Sequence, residues 1–141
     1  MIQNGLYNLL TITPEITAIV GSTGVHLGSL RKGYSLPAIR ITEVTSTPLI
    51  ANTGTAALIY KRFQVDCFAN QYLDATTLRD AVKGLLVDYS GTLADGTTIY
   101  CSLLKNELDN PLEEGRGGYV FRSLLDIEFA YDSRGLDVLI P

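Results

Sequence analysis

The sequence predicts an α+β fold: a mostly antiparallel sheet of four strands, or slightly more, with one long helix packed on a face and short N-terminal helices. Three observations predict it. Three segments, Ala38 to Thr45, Ala57 to Asn70 and Tyr119 to Asp132, alternate apolar and polar residues as half-buried strands do, and a further strand, Thr97 to Glu107, is launched by the turn at Asp95-Gly96. One segment, Ala75 to Tyr89, instead repeats its apolar residues at helical intervals. Loops without alternating crossover helices join the strands, which favours antiparallel pairing.

The elements follow in order. Ile2, Leu6, Leu9 and Leu10 have helical spacing, and Thr13-Pro14-Glu15 looks like a helix start with Thr13 as N-cap. The first twenty residues thus read as two short helices, or as one broken at Pro14. A glycine turn at Gly21 to Gly24 leads to a short strand within Val25 to Leu30. In the strand after Pro37, Ile39 and Ile41 face one way and Arg40, Thr42 and Val44 the other. Thr45 to Thr55, with Pro48, Asn52 and Gly54, reads as an extended loop. In the next strand Phe63, Val65, Cys67 and Ala69 form an apolar face, and Arg62, Gln64, Asp66 and Phe68 a mixed one. The helix stripe is Leu78, Ala81, Val82, Leu85, Leu86 and Tyr89, with Asp74 as expected N-cap and Gly91 at the expected C-terminal glycine. Gly84 lies on its flank. Asp95-Gly96 is a turn that launches the third strand, and Asn106 to Gly118 reads as a loop. The fourth strand places Phe121, Leu125, Ile127 and Phe129 opposite Arg122, Asp126, Glu128 and Asp132. Gly135 to Pro141 reads as an apolar tail behind a single domain whose core spans about residues 6–132.

Composition narrows the function. At 141 residues and 46% hydrophobic, the chain can bury a core without disulfide or metal. Its net charge of −4, with eleven scattered Lys and Arg, argues against tight DNA binding, which needs a basic face. Charged residues at 18% are few for a solitary subunit and suggest surface covered by partners. Cys67 and Cys101 lie in apolar runs and read as buried thiols of a reducing compartment. No basic-flanked apolar leader and no run long enough to span a bilayer is visible, so synthesis and assembly in cytoplasm are expected.

No catalytic constellation emerges. His26 is the single histidine, which excludes a multi-histidine metal site and leaves any serine triad dependent on one ring. A Cys67–His26 nucleophile pair is conceivable, but Cys67 sits on an apolar face, where burial makes a thiol inert. Gly21, Gly24 and Gly28 lack the lysine of a phosphate loop and read as turn glycines. Asp109, Glu113 and Glu114 are the densest acidic patch, without the ligand spacing of a calcium loop. A solvated loop is the plain reading, and a charged contact or channel lining the functional one. The tyrosines at 60, 72, 89, 100, 119 and 131 lie near element ends and suit either core edges or an interface.

The blocks Phe63-Gln64-Val65-Asp66-Cys67-Phe68-Ala69 and Leu78-Arg79-Asp80-Ala81-Val82-Lys83-Gly84-Leu85-Leu86 resemble the central strand and helix of phage tail completion and tail terminator proteins of long-tailed phages. Val20-Gly21, Leu36-Pro37-Ala38-Ile39-Arg40-Ile41 and Arg122-Ser123-Leu124-Leu125-Asp126-Ile127-Glu128-Phe129 are similar to that family's glycine turn, proline-opened strand and last strand. The longer Thr45 to Thr55 loop, the apolar tail and Cys67 depart from its pattern. The resemblance implies a structural virion protein of the tail, not an enzyme, with no cofactor. It implies a hexameric ring that caps the tail tube and forms the head–tail joint. Its partners would be further copies, the tail tube protein and a head–tail connector protein, with DNA as passing cargo and no membrane. On that reading Glu107, Asp109, Glu113, Glu114 and Arg116 would form a channel or interface loop. Leu49, Ile50, Leu136, Val138, Leu139 and Ile140 would meet neighbouring subunits. Another connector or a tube component remains an alternative, as does a small enzyme or ligand-binding module with no identifiable site.

Overall fold

Two short helices open the chain, α1 (Ile2–Ile12) and α2 (Pro14–Val20), divided at Thr13. Proline fits the first turn of α2, where its missing N–H has no helical partner to lose. Thr13 is the N-cap as expected, but its hydroxyl makes no cap bond and instead donates to the Leu9 carbonyl at 2.6 Å, closing α1. Ile2, Leu6 and Leu10 form the buried stripe of α1. Gly5 lets that helix close in: a Cβ there would lie 2.7 Å from Asp95 Oδ1 and 2.8 Å from Leu93. The computed structural model describes residues 2–30, 32–50, 57–115 and 118–132, with only the backbone at 46–50, 57, 110–115 and 118–119.

Six strands follow among the described residues: β1 (Val25–Leu27), β2 (Ala38–Ile50), β3 (Ala57–Ala69), β4 (Gly91–Thr92), β5 (Thr98–Gly115) and β6 (Gly118–Asp132). Their spatial order is β1-β2-β3-β6-β5-β4. β1 pairs with β2 in parallel, and every other pairing is antiparallel. The expected four-stranded sheet with one long helix is therefore corrected to a mixed, six-stranded sheet curled into a half-barrel, mostly β, with three short helices. Two causes account for the difference. β1 and β4 are three and two residues long, too short to display alternation. β2 and β5 also run on through the segments read as loops, where pairing rests on backbone hydrogen bonds that leave no hydrophobic pattern. Thr45 to Ile50 pairs with Ala57 to Arg62, and Asn106 to Gly115 pairs with Gly118 to Asp126. Pro111 sits at a register shift between Asn110 and Glu113, a place where a strand accepts proline.

The third helix, α3 (Tyr72–Leu86), covers β3 and β6. Its buried residues are Ala75, Leu78, Val82 and Leu86. It begins at the N-cap Gln71, not Asp74, because its first turn exposes Tyr72 and Leu73 and so lacks an apolar signal. It also ends before Tyr89. Val87 is the C-cap, and Asp88 at φ 59° turns the chain away. Ser102 of β5 completes that end: its hydroxyl donates to the Leu86 carbonyl at 2.6 Å and accepts from the Tyr89 N–H at 2.7 Å. The core between helices and sheet includes Ile39, Ile41, Phe63, Val65, Cys67, Leu125, Ile127, Phe129 and Tyr131. Phe63 and Phe129 meet edge to face at 6.0 Å.

Candidate functional site

The sheet alternates, so one face carries the core and the other is left to polar chemistry. On β3 the second face presents Arg62, Gln64, Asp66 and Phe68. Asp66 is fully buried there. Arg40 of β2 reaches its Oδ2 at 2.8 Å through Nη2 and 3.1 Å through Nε, and Arg122 Nε of β6 reaches its Oδ1 at 3.0 Å. The Gln64 amide adds contacts at 3.0 and 3.2 Å. One carboxylate thereby ties three strands, since a buried charge is tolerated only when its lone pairs are taken. Next along the ladder, Arg62 pairs with Asp126 through two nitrogens, which holds its guanidinium above its ordinary value. Phe68 lies beneath Arg40, with the guanidinium carbon 5.2 Å from the ring centroid.

A second cluster joins α3 to β5. Arg79 Nη1 lies 2.9 Å from Asp109 Oδ1, and Lys83 Nζ lies 3.0 Å from Glu107 Oε1. Ser123 Oγ and Tyr72 Oη donate to Asp109 at 2.6 and 2.8 Å. Those hydrogen bonds, from Ser123 first and then Tyr72, with help from Arg79, hold the Asp109 carboxyl below its usual range. The same bond raises the Tyr72 phenol. Burial pulls the Arg79 guanidinium down, but hydrogen bonding to Asp80 and the charges of Asp80, Glu107 and Asp109 outweigh it and leave it raised.

The structure thus separates the residues expected to act together. Glu107 and Asp109 belong to β5 and face cations of α3. Glu113 and Glu114 lie further along the same strand, opposite Val120 and Tyr119, near the end of the β5–β6 hairpin. Arg116 is outside the described residues. Leu49 and Ile50 end β2, paired with Leu58 and Ala57. Leu136, Val138, Leu139 and Ile140 lie outside the described residues. His26 is buried in β1 with its ring 6.4 Å from Tyr34. Cys67 is buried in β3, and desolvation raises its thiol strongly, so it is a poor nucleophile. Cys101 corrects the expectation of burial: it is exposed on β5. Among the tyrosines, Tyr131 is core, whereas Tyr72 and Tyr100 are exposed.

Among the described residues, no group of three or more His, Cys, Asp or Glu could hold a metal ion, and no helix is long and apolar enough to cross a membrane. A groove of about 410 Å³ lies between the start of α2 and α3, lined by Thr13, Glu15, Asp80, Ala81, Gly84 and Leu85. Exposed large apolar side chains gather on strands and helix ends: Val44 on β2, Tyr100, Leu103 and Leu108 on β5, Tyr72 and Leu73 on α3. Sequence reading assigned Arg40, Asp66 and Arg122 to the non-core face but could not join them. The signal was their shared parity on separate strands, which becomes a network only once register is known.

Ion-pair ladders tie the strands, and two hairpins run on past the helix-covered core. The chain belongs to the family described as tail completion protein gp17, whose pattern matches residues 4–132. It is a structural protein of the phage virion tail. No curated protein matches the sequence. Among solved structures, a chain of the "Virion of native gene transfer agent (GTA) particle" shares the fold, with a TM-score of 0.69 and 17% identity over 93% of this chain and 94% of that one.

Proposed function

We propose that the subunit completes the tail by assembling as a ring, hexameric by the family resemblance, on the end of the tail tube. The ring stops tube polymerisation and receives the head, so its partners are further copies, the tail tube protein and a head–tail connector protein. Supporting this reading, beside family membership, are two hairpins that continue past the helix-covered core. β2–β3 extends to Ile50 and Ala57, and β5–β6 to Gly115 and Gly118. Such arms suit contacts between subunits and between stacked rings. Glu107 and Asp109 anchor the base of the β5–β6 arm, while Glu113 and Glu114 lie toward its end and line the DNA channel. Their repulsion of phosphate keeps passing DNA mobile within a Debye length of roughly 8 Å. Leu49, Ile50 and the segment Leu136 to Ile140 contribute to contacts between subunits.

The test is electron microscopy of tails made with and without the gene. Tails lacking it should have irregular length and no heads, and restoring it should return a ring at the tube end. Normal tails joined to heads in its absence would overturn the reading. For the arm, Glu113→Lys with Glu114→Lys should leave folding and rings intact while slowing DNA ejection. Loss of head joining would instead make the arm an interface element, and unchanged infectivity would leave its acids merely solvated.

A further inference from the structure

The half-barrel has two open edges. Beyond Ile41, no described strand pairs with the outer side of β2, because β1 covers only Ile39 to Ile41. Beyond Ile99, none pairs with the outer side of β5, because β4 covers only Thr98 and Ile99. The Asp88 N–H takes the Ser102 carbonyl, so the open stretch of β5 begins at about Leu103. A row of unpaired N–H and C=O groups is a template for another strand.

We infer that these edges are the two halves of the contact between copies: β5 of one subunit adds to β2 of the next, continuing the sheet around the ring. The inference rests on the proposed ring and names its interface. Strand direction supports it. The successive pairs β2–β3, β3–β6 and β6–β5 are antiparallel, so β2 and β5 run oppositely. A second copy laid beside the first therefore meets it antiparallel, with no reversal of the subunit. A closed ring also needs two different surfaces that match, and one protomer offers both. Their margins are complementary. Val44 is exposed on β2, and Leu103 and Leu108 on β5. The charges along both margins are held within the subunit: Glu43 of β2 by Lys61 at 3.4 Å and the Gln3 amide at 3.0 Å, Lys105 of β5 by Glu128 at 3.8 Å, and Glu107 and Asp109 by the cations of α3, which leaves the apolar side chains to meet the next copy.

Both edges are also blunted. β2 carries a register shift between Glu43 and Thr45 and a proline at 48; β5 shifts at three places and carries Pro111. These features keep the paired stretch short and free subunits apart, so pairing is favoured where a tube end collects the copies.

The test uses tails bearing the full-length chain with Cys101→Ser, Val44→Cys and, in turn, Leu103→Cys, Asn106→Cys or Leu108→Cys. Every substituted site is exposed in the subunit, so folding should persist, and the remaining Cys67 is buried and out of reach. Oxidation should give a ladder of covalently joined copies for at least one pairing, and none when the partner is the exposed Ile12→Cys. Rings visible at the tube end but no ladder from any pairing would overturn the edge contact and leave the ring standing. A ladder with Ile12→Cys as strong as the others would overturn it as well. A tube end without a ring would instead remove the proposed function, and the contact with it.

Discussion

Asp66 Oδ1 lies 3.0 Å from Arg122 Nε, joining β3 to β6 through residues 56 apart in the chain. Because the carboxylate is fully buried and also held by Arg40, it cannot fall back on water when one partner is lost. Asp66→Ala should therefore cost roughly 3–5 kcal/mol, since it leaves two guanidinium groups without their buried anion. Asp66→Asn, which keeps the shape and loses the charge, should cost less. Urea denaturation of the three proteins measures both. An Asp66→Ala midpoint equal to that of the parent would sink the account.

Val82 has no exposed surface in α3. Val82→Asp buries an unpaired carboxylate at a cost of several kcal/mol, against a total stability of roughly 5–15 kcal/mol. Loss of the cooperative thermal transition is the expected result. A mutant that melts like the parent would contradict the burial.

Gly84 is the opposite case. A Cβ there would meet nothing within 4 Å, although the residue sits inside α3. Gly84→Ala should stabilise the isolated subunit by roughly 0.5–1 kcal/mol through helix propensity alone. Calorimetry reads the shift in Tm. If the melting point rises but tails are no longer completed, the groove beside Gly84 is occupied in the assembled particle.

Ser102 caps α3 from a neighbouring strand, so its hydroxyl serves two backbone groups at once. Ser102→Ala leaves the buried Leu86 carbonyl and the Tyr89 N–H short of partners and should cost about 1–3 kcal/mol. Amide exchange should quicken in the last turn of α3 more than in β3. Uniform exchange changes across both elements would argue against a local cap.

Acid should loosen the α3–β5 cluster. The Asp109 carboxyl is depressed in the folded chain, so its contribution is present above the unfolded carboxylate value of about 3.9 and is lost as pH falls through the folded one. Tyr72→Phe removes one of its hydrogen bonds and should move its titration upward, toward the ordinary value. Carboxyl carbon chemical shifts followed through a pH series read this directly. An unmoved Asp109 titration in Tyr72→Phe would remove the phenol from the account.

Local pattern was enough for the elements that cover the core. The stripe from Leu78 to Leu86, the break at Pro14 and the alternation around Phe63 and Ile127 each report burial of a neighbouring side chain, and burial is written residue by residue. The resemblance to tail completion proteins drew on those same segments. Tertiary structure decided what depends on backbone pairing and register. β1 and β4 are too short to carry a period, and the ends of β2 and β5 run past the helices, where alternation has no core to record. Asp109 read as part of an acidic loop until β5 set it beside Arg79, thirty residues earlier in sequence. Arg40, Asp66 and Arg122 each showed only an outward-facing charge, because which strands lie side by side is settled by hydrogen bonds between main chains, which are chemically alike at every residue but proline.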